Sequence, residues 1–108
     1  MVDFVISNHH SAMVRVQLKD KAGSRGIIRE LHDVKLRESV KMQAAPGYRI
    51  KLWFIGADEK QLPGTQHTKQ TVEESEEEHY RQFALYVTYQ EYYRCPYLVY
   101  DYEKCVRK

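Results

Sequence analysis

Apolar and polar residues alternate along most of the chain, with a period of two residues. Side chains of alanine, valine and leucine occupy every second position of 12–18, and Tyr48–Ile55 and Phe83–Gln90 repeat the pattern. Successive side chains of a strand point to opposite sides, so this period is typical of strands that bury one face. Val2–Ile6 and Tyr97–Tyr102 are shorter apolar runs that also favour strands. We therefore expect an all-β chain.

Residues 26–42 leave two alternatives open. Alternating apolar positions favour strands there, whereas a helix over Arg29–Met42 would also group Leu31 with Val34. We prefer strands, because β-branched residues are frequent and no N-cap residue opens a helix. Glu38 then marks either a bulge or an exposed strand end.

Turn residues between the apolar runs predict how the strands pair. The polar stretch 7–11 predicts a hairpin of the first two strands, and Pro46-Gly47 predicts one joining Val34–Met42 to Tyr48–Ile55. The two runs of Phe83–Tyr102 read as a further strand pair around a short polar break. The expected fold is a single antiparallel β-sandwich, or a small open barrel, of about six to eight short strands.

Residues 56–79 differ from the rest of the chain. They are polar, contain Pro63-Gly64, and end in a dense run of glutamates between residues 73 and 78. A connection this long in a compact domain is uncommon and is functional or disordered in most cases. We expect one long acidic loop inside a single domain of residues 1–108.

Composition and charge are those of a soluble globular protein. Hydrophobic residues make up 43% and charged residues 30% of the chain, which separates it from disordered sequences. No apolar run approaches the about 20 residues that span a bilayer, and the first residues do not read as a signal peptide. Two cysteines do not form a disulfide framework, so we expect free thiols and an intracellular, soluble protein.

Tyrosine is concentrated near the C-terminus. Seven of the nine tyrosines lie in Phe83–Tyr102. Tyrosine combines a large flat apolar ring with a hydroxyl, which suits binding surfaces, although aromatic pairs across strands also occur simply because they stabilise sheets. The candidate binding residues of this segment are Tyr86, Tyr92, Tyr93, Tyr97, Tyr100 and Tyr102.

A second candidate surface is basic. Residues 1–57 carry ten lysines and arginines against five acidic residues, whereas residues 58–108 carry seven against ten. The outward positions of the N-terminal strands are Arg15, Gln17, Lys19, Lys35, Arg37, Lys41, Arg49, Lys51 and Trp53. Cations beside an exposed aromatic ring suit anionic partners, but they equally form a solvated polar face. The net charge of only +2 argues against a nucleic-acid binder.

The acidic run offers a regulatory hypothesis. Thr71 and Ser75 each precede an acidic residue by three positions, a pattern that resembles acidophilic kinase sites. Phosphate there would strengthen attraction between this segment and the basic surface.

Catalytic and metal motifs are missing from the sequence. The histidines and cysteines have no metal-ligand spacing, and no nucleophile elbow, P-loop or dinucleotide fingerprint is present. Cys95 as a nucleophile, with His79 and Asp101 nearby in sequence, is the one enzymatic arrangement that the sequence suggests. We expect no cofactor and no metal.

These observations predict a non-catalytic interaction module. Its tyrosine-rich C-terminal surface would bind a partner protein or a second copy of the chain, for example by pairing of the last strand. The alternative is a domain that binds lipid headgroups or glycans through Tyr92, Tyr93, Tyr97 and Trp53. The third possibility is a small enzyme that depends on Cys95.

Overall fold

The structure, a computed structural model, describes residues 1–10, 13–20, 25–56, 58, 60–71 and 78–108, with residues 61–71 described by their backbone alone. Nine strands form in this part of the chain. They are β1 (Val2–Asn8), β2 (Met13–Lys19), β3 (Ile28–Lys35), β4 (Ser39–Ala44), β5 (Arg49–Ile55), β6 (Gln61–Thr71), β7 (Tyr80–Gln90), β8 (Cys95–Tyr100) and β9 (Val106–Arg107).

The strands form two sheets. The first sheet has the order β4-β1-β7-β8, with the short β9 also paired to β7, and the second has the order β3-β2-β5-β6. The pairings within both sheets are antiparallel except for β1 and β7, which run parallel. The expected all-β sandwich is therefore confirmed.

The core lies between the two sheets, as the period-two pattern requires. Alternate residues of β1 and β2 are buried, and their neighbours face outward. Phe4 of β1 stacks on Phe83 of β7, with ring centroids 5.1 Å apart. The central strands thus bury one apolar face each, which is the main source of stability in such a fold.

Two of the predicted hairpins are wrong. β1 and β2 follow each other along the chain but belong to different sheets, and so do β4 and β5. A turn of a few residues serves equally to fold a strand back beside its neighbour or to carry the chain across to the other sheet. Only the long-range partners, such as β7 for β1, decide between these outcomes.

Buried Asn8, the last residue of β1, makes hydrogen bonds to the turn between β3 and β4. Its side-chain amide donates to the Val34 carbonyl at 2.9 Å, and its backbone N–H donates to the Glu38 carbonyl at 2.9 Å. Its side-chain oxygen accepts the N–H of His10 at 3.2 Å, and its backbone carbonyl accepts the N–H of Arg37. A fully buried polar residue is stable only when its groups are paired in this way. Asn8 therefore joins the end of β1 to the turn between β3 and β4.

The segment 26–42 forms strands, so the helical alternative is excluded. Glu38 is exposed in the turn just before β4, so the apolar run expected as one strand over Val34–Met42 is divided between the end of β3 and the start of β4. Arg37, in the preceding turn, has a left-handed φ of 69°.

The expected long loop of residues 56–79 is wrong for its middle part. Gln61–Thr71 forms β6, which pairs with β5 and approaches β8 of the other sheet. The glutamates at 73–77 lie outside the described residues. The sequence of β6 alternates poorly and contains Pro63-Gly64, which is why the pattern did not indicate a strand.

Candidate interaction surface

The C-terminal strand pair predicted from Phe83–Tyr102 is confirmed. β7 and β8 are antiparallel, with partners running from Leu85 and Tyr100 to Gln90 and Cys95. Residues 91–94 form the turn, and Arg94 adopts a left-handed φ of 53° there. Buried Leu98 anchors β8 to the core. The turn is thus held at the end of two well-packed strands.

Tyr92 and Tyr93 stand at the tip of this hairpin. Their rings are 85% and 67% exposed and pack edge to face, with centroids 4.9 Å apart and an interplanar angle of 85°. This is a preferred geometry for two aromatic rings, because the positive edge of one meets the negative face of the other. Each ring restricts the other while both stay open to a partner.

Tyr86 and Tyr97 lie on the outer face of the same hairpin. Tyr86 is opposite Val99 and Tyr97 is opposite Thr88, so the two tyrosines are diagonal neighbours across the strands. Their side chains are 37% and 40% exposed. Diagonal positions on one face lie within reach of aromatic side chains. These two residues extend the tyrosine surface from the tip along the sheet.

Tyr100 and Tyr102 do not join this surface. The ring of Tyr100 packs on Phe83 at 5.6 Å, toward the core, and Tyr102 stacks on Tyr100 at 5.5 Å. Both lie at the far end of β8 from the turn. The six predicted tyrosines therefore divide into a tip pair, a face pair and a pair at the opposite end of β8, of which Tyr100 is half-buried and Tyr102 exposed. We use the name tyrosine tip for Tyr92 and Tyr93 only.

One aromatic contact near the tip was missed. The imidazole of His10 stacks on the ring of Tyr89, with centroids 5.7 Å apart and planes inclined by 9°. The alternation over Phe83–Gln90 predicts Tyr89 on the same side of β7 as Leu85 and Val87, yet Tyr89 is 37% exposed because it lies near the strand's end. His10 comes from the connection between β1 and β2, so no local sequence signal indicates this pair.

The basic surface forms in part. Across β2 and β5, Arg15 is opposite Trp53, Gln17 opposite Lys51, and Lys19 opposite Arg49, all on the outer face of the second sheet. Lys41 instead lies on the first sheet, where its ammonium is 3.2 Å from a carboxylate oxygen of Asp3. The expectation that Lys41 shares the surface is wrong, because β4 crosses to the other sheet.

Acidic side chains neutralise part of this surface. Arg15 donates two hydrogen bonds to Asp33, at 2.7 and 2.9 Å. The hydrogen bond from Arg15 lowers the pKa of Asp33 below the ordinary aspartate value, against a smaller opposing effect of burial. The guanidinium of Arg15 therefore already forms an ion pair with Asp33 of the same chain.

Trp53 is half-buried rather than exposed. Its indole Nε1 is buried and has no hydrogen-bond partner among the described residues. Trp53 therefore does not present an exposed ring to a headgroup or a sugar. Arg49 and Lys51 are also half-buried along the same strand.

The two regulatory positions have different outcomes. Thr71 is the last residue of β6, and its backbone pairs with Arg49 at the edge of the basic surface. Ser75 lies outside the described residues. The phosphorylation hypothesis stays a prediction.

The enzymatic arrangement is not assembled. Cys95 is 3% exposed and begins β8, whereas Asp101 follows the end of β8, roughly 20 Å away along an extended strand. Cys95 and Cys105 are both free thiols. Cys105 instead accepts the N–H of Ala84 at 3.3 Å.

A small cleft lies on the outer face of the first sheet. Its volume is about 140 Å³, and its walls include Ser7, His9, Tyr86, Asp101 and Lys104. Ser7 Oγ is 2.8 Å from Ser39 Oγ, so its hydroxyl is already engaged. Among the described residues, no group of three or more histidine, cysteine or acidic side chains is placed to hold a metal ion.

Comparisons with protein-family models, with curated proteins and with solved structures found no match. In the described ranges, no helix is both long and apolar enough to cross a membrane. Function must therefore be argued from the surfaces themselves.

Proposed function

We propose that this protein is a non-catalytic interaction module that binds a partner protein through its tyrosine tip. The observation that carries the proposal is the exposure of two mutually packed rings, Tyr92 and Tyr93, at the end of a regular hairpin. Single apolar side chains are ordinary on a surface, whereas exposed apolar side chains that cluster indicate a contact site.

The hairpin is suited to this role because it presents the rings with little entropy left to lose. β7 pairs with β1 over residues 82–87 and with β8 over residues 85–90, so the turn closes a strand pair whose base belongs to the first sheet. Tyrosine has only two side-chain torsions, and edge-to-face packing restrains them further. Binding through such rings therefore loses little conformational entropy, because the side chains are already ordered.

A partner protein would insert the tyrosine tip into a pocket of its own. Buried aromatic anchors dominate the energetics of many protein interfaces, and truncating one to alanine costs about 2 kcal/mol or more. Tyr86 and Tyr97 would then contribute the flatter rim of the contact.

The test compares two variants with equal loss of aromatic surface. Tyr93→Ala removes a tip ring that is 67% exposed, and Tyr102→Ala removes a ring that is 65% exposed at the other end of β8. Proteins retained by the immobilised wild-type chain are identified by mass spectrometry, and one is purified for titration. We expect Tyr93→Ala to weaken its affinity by at least about tenfold and Tyr102→Ala to leave it unchanged.

Vesicle co-sedimentation and a glycan array separate the alternative ligands. The proposal is wrong if both variants bind the purified partner like the wild-type chain. It is also wrong if the tip variant loses binding to phosphatidylcholine vesicles or glycans while no protein partner responds to it, because the ligand is then a headgroup or a sugar.

A further inference from the structure

A second exposed apolar surface lies on the other sheet, along β3. Ile28 and Leu31 of this strand are 51% and 52% exposed, and the flanking Ile27 and Leu36 are 58% and 44% exposed. Apart from Met1, these are the aliphatic side chains counted as exposed in the part of the chain that the structure describes. Scattered apolar residues are ordinary on a surface, but these four lie along one strand and in the residues that flank it.

The backbone of β3 is available in its middle part, whereas the Val34 carbonyl already accepts the side-chain amide of Asn8. β3 ends the order of the second sheet, and β2 is its hydrogen-bonded neighbour strand among the described residues. The register with β2 shifts at Leu18 and Lys19, so the regular part of β3 runs from Glu30 to Lys35. An edge strand with open N–H and C=O groups is a template for another strand.

When two copies of β3 pair about a two-fold axis, oppositely charged side chains of the two copies come close together. When a second β3 runs antiparallel with Leu31 opposite Leu31, Glu30 lies opposite His32, and Arg29, just before the regular part of the strand, approaches Asp33. A two-fold axis perpendicular to the sheet produces this pairing, and it keeps the same face of both sheets outward. We propose that the protein forms a homodimer by antiparallel pairing of β3 about Leu31.

Neighbouring registers are worse. Centring the axis on Glu30 or on Asp33 places two like charges directly opposite each other. Centring it on His32 brings Arg29 close to Lys35. Like charges directly opposite on paired strands are destabilising, so these registers are disfavoured. Among the four positions from Glu30 to Asp33, the Leu31 register alone brings opposite charges together without a like pair.

The charges select the register more than they supply affinity. Arg29 already contacts Asp20 at 2.7 Å, and Asp33 already contacts Arg15 at 2.7 Å. Glu30 and His32 pair with each other at 2.9 Å within one chain. Attraction across the axis therefore adds to existing pairs, and affinity comes from backbone hydrogen bonds and contact between the two Leu31 side chains.

The test uses a residue that faces its own copy. Leu31→Glu places two carboxylates at the axis, and Leu31→Lys places two ammonium groups there. Each variant alone should self-associate at least about tenfold more weakly than the wild-type chain, whereas an equimolar mixture should form a heterodimer. Sedimentation velocity from about 10 µM to about 1 mM covers the weak affinity expected for a strand-edge contact.

Matched controls place the charges elsewhere. Tyr102→Glu and Tyr102→Lys change an exposed ring away from β3, and each should dimerise like the wild-type chain. Circular dichroism verifies that every variant is folded, which is expected because Leu31 is half exposed.

Three outcomes would overturn the proposal. The first is a wild-type chain that stays monomeric throughout the concentration range. The second is a dimer that either Leu31 variant leaves intact. The third is a mixture of the two folded Leu31 variants that remains monomeric, because the two side chains then do not meet at the axis. None of these outcomes bears on the tyrosine tip, which lies on the other sheet.

Discussion

The tyrosine tip and the β3 edge are both exposed and apolar, but they are built differently. At the tip, two aromatic rings pack on each other beyond the end of the strand ladder. Along β3, aliphatic side chains accompany a backbone edge that pairs with no second strand among the described residues. A tip of this kind fits a pocket of a different molecule, whereas an edge is completed by another strand. The comparison shows that similar exposure supports two distinct modes of recognition.

The two surfaces also depend on different anchors. The hairpin is held by apolar contacts, with Leu98 of β8 only 1% exposed. The end of β3 is held by hydrogen bonds, because Asn8 donates to the Val34 carbonyl and to the Glu38 carbonyl. Substitution of Leu98 should therefore destabilise the hairpin first, and substitution of Asn8 should destabilise β3 first.

The largest effect is expected from leucine truncation in the hairpin. Leu98→Ala removes a fully buried side chain and leaves a cavity, so we expect a loss of about 3 kcal/mol in the free energy of unfolding. Leu31→Ala, the same change at an exposed position of β3, should alter it by less than about 0.5 kcal/mol. Urea unfolding at low protein concentration measures both. Similar losses for the two variants would contradict the assignment of Leu98 to the core and Leu31 to the surface.

A smaller effect is expected from the polar anchor. Asn8→Ala leaves buried backbone groups near the turn between β3 and β4 less well paired, so we expect a loss of about 2 kcal/mol. Amide hydrogen exchange should show the loss first in β3 and in the turn after it, while amides of β7 and β8 follow only global unfolding. Uniform acceleration across both regions would refute a local role for Asn8.

The smallest effect concerns the ion pair beside β3. Because Arg15 lowers the pKa of Asp33, ionised Asp33 contributes stability above the ordinary aspartate pKa, and this contribution is lost as the pH falls through the lowered value. Both side chains are partly exposed, so the contribution is less than about 1 kcal/mol.

Asp33→Asn should therefore be slightly less stable than the wild-type chain at pH 7. The difference should shrink below about pH 4 and vanish at more acid pH. Urea unfolding at several pH values measures this difference. A difference that stays constant from neutral to acid pH would mean that the carboxylate charge is not responsible.

Local pattern was enough to determine the all-β class and most strands. The period of two in β2, β5 and β7 reports which side chains face the core, because alternate residues of a strand point to opposite sides. It was also enough for the β7–β8 hairpin and for the exposure of Tyr92 and Tyr93, since a turn between two adjacent strands places its residues in solvent.

Pairing over long distances was decided only in three dimensions. The parallel contact of β1 with β7 joins segments some 80 residues apart, and it places β2 in the other sheet. The ion pair of Lys41 with Asp3, the contact of the Tyr100 ring with Phe83 and the pairing of β6 with β5 are likewise seen only in the fold. The sequence also did not predict that β3 is an edge strand. Ile28 and Leu31 are exposed because β3 lies at the end of a sheet. A strand's pattern specifies its faces, but its neighbours are specified by how all the apolar faces together exclude water.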